Sequence, residues 1–175
     1  MNPQTMRIAS IILTLAGVAS TSLASDQPEA DRTNLLELAR GTMAAARYCA
    51  LITVDEKGQP RARTVEPFAP DKNFSIWIAT RPNTRKVAQI AENPKVTLYY
   101  FDAQQRNYVT VMGTARLVVD EDSKIAMRRP VDSDRLYPDF PDDYLLIEVT
   151  PTWLEAIVPG YRGDAETWRP ASVHF

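Results

Sequence analysis

A run of aromatic, β-branched and other apolar residues, Tyr48 to Val54, is followed after only Asp55-Glu56-Lys57-Gly58 by a second extended segment, Gln59 to Phe68. A connection that short joins antiparallel strands, because a parallel crossover needs a dozen residues or more. The pattern then repeats. Pro70-Asp71-Lys72-Asn73 reads as a turn and Phe74 to Ala79 as a third strand. The period changes at Thr84 to Glu92, where Val87 and Ile90 or Ala91 share a helical face, and Asn93-Pro94 ends that helix. Lys95 to Phe101 and Tyr108 to Val119 return to strand character, with a bulge or bend expected at Gly113. Glu121 to Arg129 reads as a short helix and Pro130 to Asp143 as a loop. Tyr144 to Val149 and Trp153 to Val158 read as two further strands, and Gly160 to Phe175 as a tail. Ahead of them all, Asp31 to Arg47 is helical by pattern, with Leu35, Leu38, Thr42 and Ala45 or Ala46 on one stripe and Asp31 or Thr33 at its start. The order predicts a mainly β, α+β domain over residues 33–175: a small antiparallel barrel, closed or partly closed, with helices at its edges.

The first residues read differently. Arg7 gives a positive start, Ile8 to Val18 an apolar centre, and Ser22-Leu23-Ala24 small residues before a polar stretch. This is the build of a secretory signal peptide over residues 1–24, followed by a linker over 25–32. The apolar run falls short of the ~20 residues of a spanning helix. Export to the bacterial periplasm or beyond, with no stable membrane association once the signal is removed, is the expectation; an uncleaved anchor is the alternative.

Composition excludes several chemistries. The chain has 175 residues, 20 Lys+Arg against 22 Asp+Glu, and a formal net charge of −2. That balance argues against general nucleic-acid binding, which depends on releasing counterions from phosphates. One cysteine, Cys49, and one histidine, His174, rule out an internal disulfide and leave no Cys/His zinc site. Cys49 lies in an apolar run and reads as a buried structural thiol.

What remains is a local concentration of cations. Arg61 and Arg63 are two apart on a strand and so share a face. Thr80 closes the next strand, and Asn83-Thr84-Arg85-Lys86 opens a helix. A helix start carries free N–H groups and a positive dipole end, so Arg85 and Lys86 conflict with it unless an anion is present. The pattern alone leaves two readings of the arginines, a solvated strand face or one wall of a phosphate cradle. No Gly-rich phosphate loop occurs.

The stretch Thr80 to Phe101 (TRPNTRKVAQIAENPKVTLYYF) resembles the core signature of the pyridoxamine 5′-phosphate oxidase-like family. Gly58-Gln59-Pro60 before Arg61-Ala62-Arg63 is similar to that family's hairpin. Tyr108 to Gly113 is similar to its later strand, and Trp168-Arg169-Pro170 to the tail of its smaller members. The resemblance implies a split β-barrel of Greek-key type and a homodimer with FMN at the subunit interface. It implies that Arg63, Thr64 and Val65 line flavin and phosphate, that Ala79 and Thr80 lie near ring and phosphate, and that Arg85 and Lys86 hold phosphate and ribityl chain. Arg61 and Thr84 join them on the physical argument above. Two positions depart from the family's oxidases of pyridoxamine phosphate: Phe68 stands where they carry Lys, and Tyr108 where they carry Gln. Their Arg-x-His substrate element has no match before Phe175. Tyr108, Trp153 or Trp168 then either packs on the flavin or fills the core. The resemblance implies an FMN-dependent oxidoreductase acting on a small molecule. The alternatives are a flavin-binding or sensing protein without turnover, a barrel holding haem or a deazaflavin, and a barrel without cofactor.

Overall fold

The computed structural model describes residues 29–175; the signal-peptide reading of residues 1–24 lies outside them. The elements are α1 (Glu29–Ala46), β1 (Cys49–Val54), β2 (Pro60–Val65), β3 (Ile76–Thr80), α2 (Arg85–Glu92), β4 (Lys95–Asp102), β5 (Asn107–Val118), α3 (Glu121–Ala126), β6 (Leu145–Ile157) and β7 (Ala171–His174). α1 begins at Glu29 and so takes in the end of the segment read as a linker.

The first hairpin forms as its turn dictates. The Asp55 amide donates to the Gln59 carbonyl at 3.0 Å, and Gly58 adopts φ 76°, a conformation open to glycine without penalty. The Asp55 carboxylate accepts from the Lys57 and Gln59 amides at 3.0 and 2.9 Å and fixes the turn from within.

Every ladder is antiparallel, in the order β2-β1-β4-β5-β6-β3, with β7 added on β6. β1 beside β4 and β3 beside β6 are the crossing connections of a Greek key. Alternate residues of β1, β3, β4, β5 and β6 point into one core, including Leu51, Ile78, Leu98, Val111 and Ile147, all fully buried. The sheet therefore wraps round a common interior, yet it does not close. β2 and β3 are its two edges, and the amide of Phe68, beyond β2, donates to the Trp77 carbonyl of β3 at 2.8 Å across the seam. This is a split barrel. β2 starts at Pro60 and carries Arg61 and Arg63, the charges and proline that keep an edge strand from pairing with other chains.

Three readings are corrected. β6 is one strand where the sequence suggested two. Its bulge pairs Met112 with Trp153 but Gly113 with Pro151, leaving Thr152 extra, so Pro151 sits where the ladder is already irregular. The tail read over Gly160 to Phe175 contains β7, which pairs along Trp153 to Ala156. The α1 stripe is wider than read: Ala39 and Met43 are buried with Leu35 and Thr42, Leu38 and Ala46 are half-buried against the same core, and Ala45 is exposed. Cys49 is buried as expected, and burial pushes its thiol up to about 12, so the unreactive protonated form dominates.

Candidate functional site

Arg63 projects from β2 toward the start of α2. Its Nη1 donates to the Leu51 carbonyl at 3.1 Å and the Thr53 hydroxyl at 2.7 Å, and its Nη2 to Gln89 Oε1 at 2.9 Å. The same Gln89 oxygen accepts from Thr53 at 2.6 Å. Neutral groups thus hold the guanidinium and leave its charge uncompensated. Arg61 differs: its Nε meets Asp55 Oδ2 at 2.7 Å. The Gln59 amide and then Arg61 hold that carboxyl below the usual range.

α2 brings two more cations to the same place. Thr84 is its N-cap residue, but the Thr84 hydroxyl donates back to the Arg81 carbonyl at 3.2 Å and caps nothing in the helix. The first turn holds Arg85 and Lys86 and no acid. Among the described residues Arg63, Arg85 and Lys86 take part in none of the ion pairs. The electrostatic result is visible in both directions. Burial and then the Arg85 charge push Arg63 down, and burial and then Arg63 push Lys86 down. Like charges held together by the fold, with a helix N-terminus among them, favour an anion.

A concave space lies between them. A cavity of about 350 Å³ is lined by Arg61, Ala62, Arg63, Thr84, Arg85, Lys86 and Gln89, with no carboxylate in its wall. A second cavity, of about 300 Å³, shares Thr84 and Lys86 with the first. It follows the seam of the barrel: Thr64, Val65 and Glu66 on the β2 side, Ala79, Thr80 and Arg81 on the β3 side.

The far wall of the second cavity comes from the segment after α3. Arg129 grips Asp132 with a fork, Nε to Oδ2 at 3.0 Å and Nη2 to Oδ1 at 2.9 Å. Its Nη1 reaches the Glu66 and Pro67 carbonyls, both at 3.3 Å, and the guanidinium lies 4.0 Å over the Phe68 ring. Tyr144 donates to Asp132 Oδ2 at 3.1 Å. Burial alone would raise the Asp132 carboxyl, but Arg129 outweighs it and the net direction is down. One buried ion pair thus ties this segment to the end of β2.

The structure brings Arg61, Arg63, Thr84, Arg85 and Lys86 to one cavity, and Thr64, Val65, Ala79 and Thr80 to its neighbour. Tyr108 is not with them; it lies at the start of β5 against Tyr99, ring centroids 5.7 Å apart. Trp153 stacks on His174 at 5.5 Å, and Trp168 is exposed on the loop before β7. Sequence reasoning missed Thr53 and Gln89, the partners of Arg63. Gln89, one helical turn after Arg85, was the available signal. It also missed the wall formed by Arg129, Val131, Asp132, Leu136 and Tyr137.

Comparison with known proteins agrees with this geometry. Residues 35–157 match the family described as pyridoxamine 5′-phosphate oxidase. A pyridoxine/pyridoxamine 5′-phosphate oxidase of Acidothermus cellulolyticus is 29% identical over 126 residues, 71% of this chain and 55% of that protein, so the chain spans about half the length of its relative. Among solved structures, a Clostridium acetobutylicum protein related to general stress protein 26 superposes with a TM-score of 0.68, at 20% identity over 83% of this chain and 96% of that one. A pyridoxamine 5′-phosphate oxidase-related, FMN-binding protein of Nostoc punctiforme superposes with a TM-score of 0.56, at 17% identity over 88% and 98%. At these identities the structural likeness speaks to the fold.

Proposed function

This chain belongs to the pyridoxamine 5′-phosphate oxidase family, and on that footing we propose that it is an exported FMN-binding flavoprotein, an FMN-dependent oxidoreductase working as a homodimer. The observation that carries the reading is the acid-free cavity where Arg63, Arg85 and Lys86 converge on an uncapped helix start. The phosphate of FMN is a dianion of the right charge for it, and the adjoining cavity between Val65 and Ala79 offers a partly apolar slot for a flat ring. Arg63 and Lys86 bind the phosphate as charged donors. Thr53 and Gln89 hold Arg63 in place, so little rotamer freedom is lost on binding. Thr80 and Ala79 line the ring slot, and Arg129 fixes its opposite wall. The flavin, when bound, supplies the electron and hydride transfer chemistry, and the protein its orientation. Phe68, covered by Arg129, stands where the family's oxidases of pyridoxamine phosphate carry Lys, which favours a different substrate.

The test is a titration with FMN followed by flavin fluorescence across the pH range. Two limbs are expected. Below about pH 6 the phosphate takes up its second proton and binding weakens. On the alkaline side Lys86, whose proton is held less tightly than an ordinary lysine's, deprotonates and binding weakens again. Bound phosphate favours charged Lys86, so binding on this limb takes up a proton. Absence of binding at every pH overturns the proposal.

The dimer rests on the outer face of the sheet. Tyr99 and Phe101 of β4 are 38% and 49% exposed, with Tyr48 beside them at 45%. Exposed aromatic side chains gathered on one sheet face suit an interaction site. Phe101→Glu is expected to turn a dimer into a monomer in light scattering; a parent protein that is already monomeric rejects the arrangement.

A further inference from the structure

We propose that a third cavity, separate from the flavin slot and the phosphate cradle, binds small aromatic carboxylates, with the ring in the cavity and the carboxylate on Arg40. The site does not depend on the flavin reading. It has about 340 Å³ and lies between the second half of α1 and residues 66–70, which follow β2. Its lining has only Glu66 in common with the flavin slot and no residue in common with the cradle. The volume is at the small end of the about 300–1,000 Å³ usual for ligand pockets. Met43, Ala44, Pro67, Phe68, Ala69 and Pro70 make the wall largely apolar, and buried Tyr100 closes it on the core side. The Tyr100 hydroxyl has the weak Cys49 thiol beside it and no other hydrogen-bonding partner among the described residues.

Arg40 supplies the charge. It is half-buried, its Nη1 and Nη2 donate to the Pro70 and Asp71 carbonyls, both at 2.6 Å, and its guanidinium lies 4.3 Å over the Phe74 ring. These neighbours fix the group in place but are neutral, and the two bonds use two of its five N–H groups. The acids nearby are turned elsewhere. Glu66 pairs with Arg47 at 2.9 Å, and the Asp71 carboxylate accepts from the Asn73 and Ser75 amides at 2.8 and 2.9 Å. Arg40 also lines an adjoining cavity with Arg32 and Lys72, where Glu37 is the one side-chain carboxylate against three cations. Among the described residues Arg32, Arg40 and Lys72 take part in none of the ion pairs. An apolar body with one anionic end fits this arrangement. The body buries its surface in the wall, and the carboxylate meets a guanidinium that is already held still. Two aromatic and two proline rings in the wall favour a flat ring over a flexible chain, which loses more freedom on binding.

The experiment titrates the protein, saturated with FMN, with 2-naphthoate and with its uncharged carboxamide, binding being read by equilibrium dialysis. The acid is expected to bind about tenfold tighter or more, the effect of one hydrogen bond between charged groups. Ala44→Glu sets a carboxylate four residues after Arg40 at an exposed position of α1, where a helix accepts it, and is expected to abolish that preference. Arg40→Gln is expected to abolish it as well. Equal binding of acid and amide by the parent protein overturns the inference, and so does a preference that Ala44→Glu leaves intact. Displacement of naphthoate when FMN is added to a sample not yet saturated also overturns it, because the acid then occupies the flavin's site. If the protein takes up no FMN, the flavin reading fails alone, and the same titrations without FMN decide this one.

Discussion

Lys86→Ala raises the dissociation constant for FMN at least tenfold and leaves that for riboflavin nearly unchanged. Lys86 is half-buried and lines both cavities, so its ammonium meets the phosphate rather than bulk water. A hydrogen bond to a charged group contributes about 1.5–3 kcal/mol, which corresponds to roughly ten- to hundredfold in affinity. The lower end is expected here, because removing one cation also relieves the repulsion that pushes Lys86 and Arg63 down in the free protein. Arg63→Ala is expected to act in the same direction, with an added loss of order as Thr53 and Gln89 lose their shared partner. The comparison of FMN with riboflavin isolates the phosphate. A substitution that weakened both ligands equally would place Lys86 at the ring, and one that weakened neither would remove the cradle.

Gly113→Ala destabilises the fold by about 3 kcal/mol, the upper part of the range for overpacking a core. Gly113 is needed for space and not for a turn: its φ is not in the left-handed region. A Cβ built there lies 2.2 Å from the Thr150 carbonyl oxygen and 3.0 Å from its carbon. Both are backbone atoms of the neighbouring strand, so no side chain can swing aside. The ladder between β5 and β6 must part at the bulge, on the longest strand pair in the sheet. Urea unfolding reads the effect as a lower midpoint with an unchanged slope. A midpoint equal to the parent's would mean that the two strands separate there at little cost.

The strands and their antiparallel sense were legible because the turns are local. Asp55 and Gly58 fix the first hairpin with bonds no more than four residues apart. The cation cluster was legible for the same kind of reason, since Arg85 and Lys86 contradict the helix start they sit on. Features that depend on distant partners were not. Ala171 to His174 becomes a strand by lying along β6, and Thr150-Pro151-Thr152 looks like a break until Gly113 is seen opposite it. The α1 stripe was legible at Leu35, Leu38, Thr42 and Ala46, which face the core, while Met43-Ala44-Ala45-Ala46 is apolar on every side, so periodicity did not single out Met43. The grip of Arg129 on the Glu66 and Pro67 carbonyls joins parts of the chain far apart in sequence, and nothing in either segment announces the other.

The pairing of β3 with β6 has a consequence for biosynthesis. β3 is made early, yet its ladder partner β6 is made some 65 residues later, after β4 and β5. Until then Ile76 and Ile78, which end up wholly buried, lack their ladder partner. Nascent chains in this condition attract holding chaperones and are slow to reach their final form, because the contact that completes them is non-local. Completion of the barrel therefore waits for β6 and does not proceed hairpin by hairpin as synthesis advances.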